Sequence, residues 1–79
     1  MPYTTEQKKK IYTWLESKKP ANFDASQYYK YFVNSYILYF GAGPYYTALA
    51  ICLFINSGNK TKTTPKNIKN FINTFVPNL

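Results

Sequence analysis

The sequence predicts an all-α protein, and three observations support this fold class. Apolar residues recur at helical spacing near both ends of the chain, caps and prolines mark helix limits, and the middle consists of segments that are apolar on most sides. We expect one small helical unit over residues 1–79. It would comprise a short amphipathic N-terminal helix, a kinked apolar central helix or helical hairpin over about residues 25–57, and a short basic amphipathic C-terminal helix.

The charges divide the chain into three parts. A charged amphipathic head (1–24) precedes an uncharged apolar and aromatic centre (25–58) and a basic amphipathic tail (59–79). The net charge is +7, from ten Lys and three carboxylates, and no Asp, Glu, Lys or Arg occurs over residues 31–59. With no His and one Cys, the chain lacks most metal-ligating and catalytic side chains, so we expect no enzyme activity, metal or cofactor.

The head predicts a helix capped at Thr4 or Thr5. The acid Glu6 and the hydrogen-bond acceptor Gln7 follow in the first turn, where the helix dipole favours them. The apolar stripe at i, i+3 and i+4 consists of Ile11, Trp14 and Leu15. Lys18 and Lys19, followed by Pro20, predict the end of the helix, because cations are favoured at a helix C-terminus and Pro cannot continue the helix.

The centre begins at a predicted capping box, Asp24 with Gln27, with Ser26 as a competing cap. A mostly apolar helix would run to Phe40. The following sequence Gly-Ala-Gly-Pro predicts a break or sharp kink, and the candidate helix-packing residues there are Gly41, Gly43 and Pro44.

The next predicted helix, residues 45–56, is apolar on every side, and Gly58 is a natural C-terminal cap. The rest of the chain offers too few helices to enclose it, so we expect cover from outside the chain. Residues 36–55 are long enough to cross a bilayer as one helix, which makes them a candidate membrane span. The alternative is a helical hairpin that turns at residues 41–44 and packs against a partner or a second copy.

The tail predicts an amphipathic helix with Thr64 as cap and Pro65 at the first helical position. So short a helix is not stable alone in water, so its apolar face must dock. With Trp14 of the head, the candidate partner-docking residues are Ile68, Phe71, Ile72 and Phe75. The candidate contacts to lipid or phosphate are Lys60, Lys62, Lys66 and Lys69.

In architecture and composition, the chain resembles the supernumerary subunits of mitochondrial respiratory complexes, which are commonly short, basic and non-catalytic. The resemblance implies a small accessory subunit that stabilises a larger membrane complex, such as a respiratory complex of the mitochondrial inner membrane. Its partners would be larger protein subunits and an anionic phospholipid similar to cardiolipin. The alternative function is a soluble all-α interaction module, viral or cellular, that oligomerises through its aromatic centre. Such a module could bind nucleic acid through Lys, although without Arg nucleic acid is the less favoured partner.

Overall fold

The computed structural model describes residues 3–31, 43–58 and 60–79, and every regular element in these ranges is helical. Helix α1 spans Thr5–Lys18, a 3₁₀ helix, η1, spans Ala25–Tyr31, α2 spans Pro44–Asn56 and α3 spans Pro65–Phe75. The all-α prediction is therefore confirmed for the described residues. Of the predicted break over residues 41–44, residues 41 and 42 lie outside the described ranges, and so does the part of the predicted central helix that covers residues 32–40.

The helix ends follow local capping chemistry. Thr4 caps α1 in a reciprocal capping box, because its hydroxyl accepts from the Gln7 backbone N–H while the Gln7 side chain accepts from the Thr4 N–H. Thr64 caps α3 by accepting from the backbone N–H of Asn67, with Pro at the first helical position. Gly58 follows α2 with a φ of +78°, the left-handed geometry that a C-terminal glycine supplies.

The start of the centre differs from the prediction. Asp24 does not form a capping box with Gln27; its carboxylate instead accepts from the backbone N–H and the hydroxyl of Ser26. This local turn leads into the 3₁₀ helix η1, whereas the sequence predicted an α-helix from here.

Helix α2 lies at the centre of the fold and contacts η1, α1 and α3. It has almost no apolar asymmetry, which suits a helix that is covered on most sides. The hydrophobic core draws on all three α-helices and consists of Ile11, Leu15, Leu49, Ala50, Ile51, Phe54, Ile68, Phe71, Ile72 and Val76. Cys52 is also buried, as a small apolar residue of α2.

This packing corrects the membrane prediction. Within the described residues, no helix combines the length and the apolar character needed to cross a bilayer. Of the candidate span 36–55, residues 36–42 lie outside the described ranges. Residues 44–55 belong to α2, a helix of 13 residues that packs against the chain's own α1, η1 and α3. The transmembrane helix, the membrane localisation and the mitochondrial inner membrane are therefore withdrawn. The resemblance to respiratory-complex subunits therefore loses the membrane span, which was one part of its architecture.

Candidate functional site

The strongest candidate site is a groove between α1, α2 and α3, which we call the aromatic groove. It encloses about 300 Å³. Its lining consists of Trp14, Lys18, Leu53, Asn56, Ser57, Phe71 and Phe75. The described lining residues include one cation and no carboxylate. The groove is therefore an apolar, aromatic depression with a single positive charge at its edge.

Phe71 organises the aromatic side chains of this groove. Its ring centroid lies 5.7 Å from that of Phe54 in the core, 6.1 Å from that of Trp14 and 5.0 Å from that of Phe75. The contacts to Phe54 and Trp14 are edge-to-face, an arrangement that the ring quadrupoles favour. Phe71 itself is only 6% exposed. Phe71 thus connects the closed core to the groove surface and contacts Trp14 there.

Phe75 is the most exposed large apolar side chain of the described residues, at 55%. It lies one turn beyond Phe71 on the same face of α3, at the position where the apolar face extends past the core. A second hollow, of about 230 Å³, begins on its other side. This polar hollow is lined by Phe54, Thr61, Asn67, Asn70, Phe71, Thr74 and Phe75. Phe75 is therefore a ridge between an aromatic groove and a polar hollow.

A third hollow, of about 410 Å³, adjoins the groove at Trp14. It is lined by Glu6, Lys9, Lys10, Thr13, Trp14, Ser17 and Pro77. The end of the chain is fastened across α1 nearby, because Lys10 Nζ donates to the Asn78 carbonyl at 2.8 Å and Gln7 Nε2 donates to the Leu79 carbonyl at 3.4 Å. Trp14 thus lines both the aromatic groove and this third hollow. Residues 78 and 79 are hydrogen-bonded to α1 at the border of the third hollow.

A row of aromatic rings forms a second feature, on the side of η1. Successive ring centroids lie 4.2 to 6.3 Å apart in the order Tyr12, Tyr46, Tyr45, Phe23, Tyr28 and Tyr31. The rings contact one another and join α1, the following turn, η1 and α2. Because their faces are largely used within the fold, the row serves mainly to hold η1 against α2.

Two side chains at this row, Lys19 and Tyr28, have pKa values raised by neighbouring side chains. A hydrogen bond to the Tyr45 hydroxyl, aided by nearby Glu16, raises the pKa of Lys19, so this amine stays protonated. A side-chain hydrogen bond with Cys52, together with partial burial, raises the pKa of Tyr28 to about 12. Both shifts keep these groups in their ordinary charge state near neutral pH.

The predicted docking residues fall into two classes. Ile68 and Ile72 are fully buried in the chain's own core, so the docking that α3 needs for stability occurs largely within the molecule. Trp14, Phe71 and Phe75 meet at the aromatic groove.

The four lysines predicted to contact lipid or phosphate differ in their exposure. Lys60, Lys62 and Lys66 are exposed before and within the first turn of α3. Lys69 is half-buried, with its Nζ 5.4 Å from the centroid of the Tyr3 ring. The structure therefore keeps three of the four lysines on an accessible surface and assigns Lys69 to a cation–π contact.

The predicted helix-packing residues are only partly described. Gly43 is the exposed N-cap of α2, Pro44 is its first residue, and a Cβ atom at Gly43 would meet nothing within 4 Å. Gly41 lies outside the described residues, and close helix packing at this segment stays a prediction.

Sequence reasoning missed Lys18 and Leu53 as groove residues. Lys18 follows Trp14 by four residues on α1, so helical spacing places both on one face and the pairing could have been found. Leu53 belongs to α2, which is apolar on all sides, so the sequence of α2 does not indicate which of its residues face the groove. Within the described residues, no group of three or more His, Cys, Asp or Glu could hold a metal ion.

Comparison with protein-family models, curated proteins and solved structures finds no match to this chain.

Proposed function

We propose that this chain is a non-catalytic interaction module of a larger protein assembly, which binds a helical segment of a partner protein in the aromatic groove. The observation that carries the proposal is Phe75, more than half exposed beside Trp14 and above Phe71. Fully burying a Phe side chain is worth about 1.5–3 kcal/mol, and the exposed part of this ring is still to be covered. Aromatic side chains of this kind dominate the energetics of protein interfaces.

The shape of the groove favours a helix as its occupant. The described part of the chain contains no strand, so an extended peptide would find no sheet edge with which to exchange main-chain hydrogen bonds. A helix satisfies its own backbone and presents apolar side chains at i, i+4 and i+7 to a hydrophobic groove. One such side chain would fill the hollow beside Trp14, and its neighbours would pack on the Phe75 ring.

The residue composition supports a binding role over a catalytic one. Three carboxylates and no His leave little general acid–base chemistry for the whole chain. None of the described residues that line the aromatic groove is a carboxylate or a thiol. The groove offers contact area and a positive edge, which are the properties of a recognition surface.

A peptide library displayed on phage tests this proposal with the full chain as bait. We expect enriched sequences with apolar residues at helical spacing, and we expect Phe75→Ser to abolish their binding. Tyr29→Ser is the matched control, since Tyr29 is an exposed aromatic residue of η1, 48% exposed and outside the groove lining. The proposal fails when no enriched peptide depends on Phe75, or when Tyr29→Ser reduces binding as much.

A further inference from the structure

We propose that the partner segment is acidic, with carboxylates that flank its apolar anchor residues. This inference rests on the proposed function, and it assigns the chemistry of the occupant from the charges on the two sides of Phe75. Electrostatic complementarity of this kind selects partners and speeds their association.

On the α1 side, the positive charge of Lys18 lines the groove itself. The carboxylate nearest in sequence is Glu16, whose Oε2 lies 3.9 Å from Lys19 Nζ, so its charge is directed to another lysine. The groove edge therefore keeps an unbalanced cation.

Beyond Trp14, the adjoining hollow contains Lys9 and Lys10 with the single acid Glu6. Lys10 donates to the Asn78 carbonyl, a neutral acceptor that leaves its charge in place. This hollow therefore also has a net positive lining, and it extends the basic edge along α1 in the direction that a bound helix could follow.

On the other side of Phe75, Thr61 lines the polar hollow. Thr61 lies between Lys60 and Lys62, and both lysines are exposed. This segment is anchored against α3, because Asn67 Nδ2 donates to the Lys62 carbonyl at 2.7 Å. The three acids of the chain all occur at or before residue 24, so no carboxylate of this segment offsets the two lysines.

Phe75 therefore has Lys18 in the groove on one side. On the other side, the exposed Lys60 and Lys62 are the sequence neighbours of Thr61, while the polar hollow itself has no charged residue in its lining. A second copy of this chain, whose net charge is also +7, would present the same lysine at this surface, which opposes self-association through this face. An acidic helix supplies apolar anchors for Phe75 and Trp14 and opposite charges for these lysines. Its carboxylates would meet solvated lysines at the rim, where charge governs association rate and salt dependence.

The test uses three synthetic peptides of about 14 residues, roughly four helical turns. All three place Leu at i, i+4 and i+7, lack Trp and Tyr, and differ only in whether the remaining positions are mainly Glu, Gln or Lys. Binding to the full chain is followed by the fluorescence of Trp14, the only Trp of the chain. A scrambled Glu peptide, with its Leu residues spread around the helix, and an oligothymidylate of similar length are added as competing probes.

We expect the Glu peptide to bind about tenfold more tightly than the Gln peptide at about 50 mM salt, and most of that difference to disappear near 500 mM. The Lys peptide should bind most weakly. Lys18→Gln should weaken the Glu peptide about threefold and the Gln peptide by a clearly smaller factor. Lys30→Gln is the matched control, because it removes the same charge from η1, where Lys30 lies over the Tyr31 ring and outside the groove.

The outcomes separate the two proposals. Equal binding of the Glu and Gln peptides, lost in Phe75→Ser, would overturn the acidic partner and keep the helical docking function. Absence of any Phe75-dependent peptide binding would overturn both. Equal loss in Lys18→Gln and Lys30→Gln, or tighter binding of the scrambled Glu peptide or of the oligothymidylate, would show attraction to any polyanion and would overturn the inference.

Discussion

Two phenylalanines one turn apart on α3 provide a direct test of which ring is buried in the chain's own core and which is free to contact a partner. Phe71 is 6% exposed and contacts Trp14 and Phe54, whereas Phe75 is 55% exposed. The substitutions Phe71→Ala and Phe75→Ala remove the same atoms from the same helix. Their effects on the free energy of unfolding should therefore differ only because their surroundings differ.

The magnitudes follow from the burial of each ring. Removing a buried Phe costs about 3–5 kcal/mol, because apolar contacts are lost and a cavity remains. For Phe75, less than half of a transfer free energy of about 1.5–3 kcal/mol applies, and the better helix propensity of Ala returns a few tenths. We expect a loss of about 3–5 kcal/mol for Phe71→Ala and about 1 kcal/mol or less for Phe75→Ala. A chain of this length has a total stability of about 4–12 kcal/mol, so the first variant should be close to unfolding.

Urea denaturation followed by circular dichroism measures both changes. The mid-transition concentration should fall sharply for Phe71→Ala and only slightly for Phe75→Ala, with the slope of the transition unchanged for the latter. Equal losses for the two variants would mean that the Phe75 ring is as well covered in solution as the Phe71 ring. The groove would then not be a free surface, and the proposed docking function would lose its basis.

Three further predictions concern the core, a cap and a titrating hydroxyl. Leu49→Lys should unfold the chain, because Leu49 is fully buried in α2 and an unpaired charge there costs several kcal/mol; far-UV circular dichroism should show lost helix, while Leu49→Met should retain it. Thr64→Ala should cost about 1 kcal/mol and lower the melting temperature by roughly 4–8 °C, because the cap to the Asn67 N–H is lost, and an unchanged melting temperature would contradict this role. The folded state holds the Tyr28 proton more tightly than the unfolded state, with a pKa of about 12 against 10.0, so this contribution to stability is complete below pH 10 and is lost as the pH rises toward 12. Ultraviolet titration of tyrosinate should therefore show a late component that Tyr28→Phe removes, and an unaltered titration curve would refute the assignment.

Sequence reasoning succeeded where structure is decided by neighbouring residues. The caps at Thr4 and Thr64 depend on side chains that bond to backbone N–H groups three residues later, and such spacing is visible in the sequence. The start of α2 at Pro44 is equally local, because Pro44 has no N–H and fits only the first turn of a helix.

Sequence reasoning failed on the question of whether lipid or protein surrounds α2. A helix that is apolar on every side must be enclosed, but hydropathy does not distinguish enclosure by lipid from enclosure by protein. Part of the cover comes from η1, a 3₁₀ helix whose half-buried Tyr28 and Tyr31 pack against the core around α2. Its tyrosines carry both an apolar ring and a polar hydroxyl, so they cover the core while remaining partly in water.

The candidate site was predictable in part for the same reasons. Helical spacing on α3 identified Phe71 and Phe75 as members of one apolar face, and Trp14 stood out on α1. Their meeting in one groove depends on how α1 and α3 pack around α2, which no local pattern specifies. Lys18 acquires its role only from that packing.

The most direct measurement of the central claim is the set of nuclear Overhauser contacts between the full chain and the bound Glu peptide. We expect contacts from the Leu methyl groups of the peptide to the indole of Trp14 and to the ring of Phe75, and none to the exposed ring of Tyr29 on η1. Contacts confined to Tyr29 or to the row of aromatic rings beside η1 would place the binding surface there and not in the groove. They would contradict the aromatic groove as the site at which this chain holds its partner.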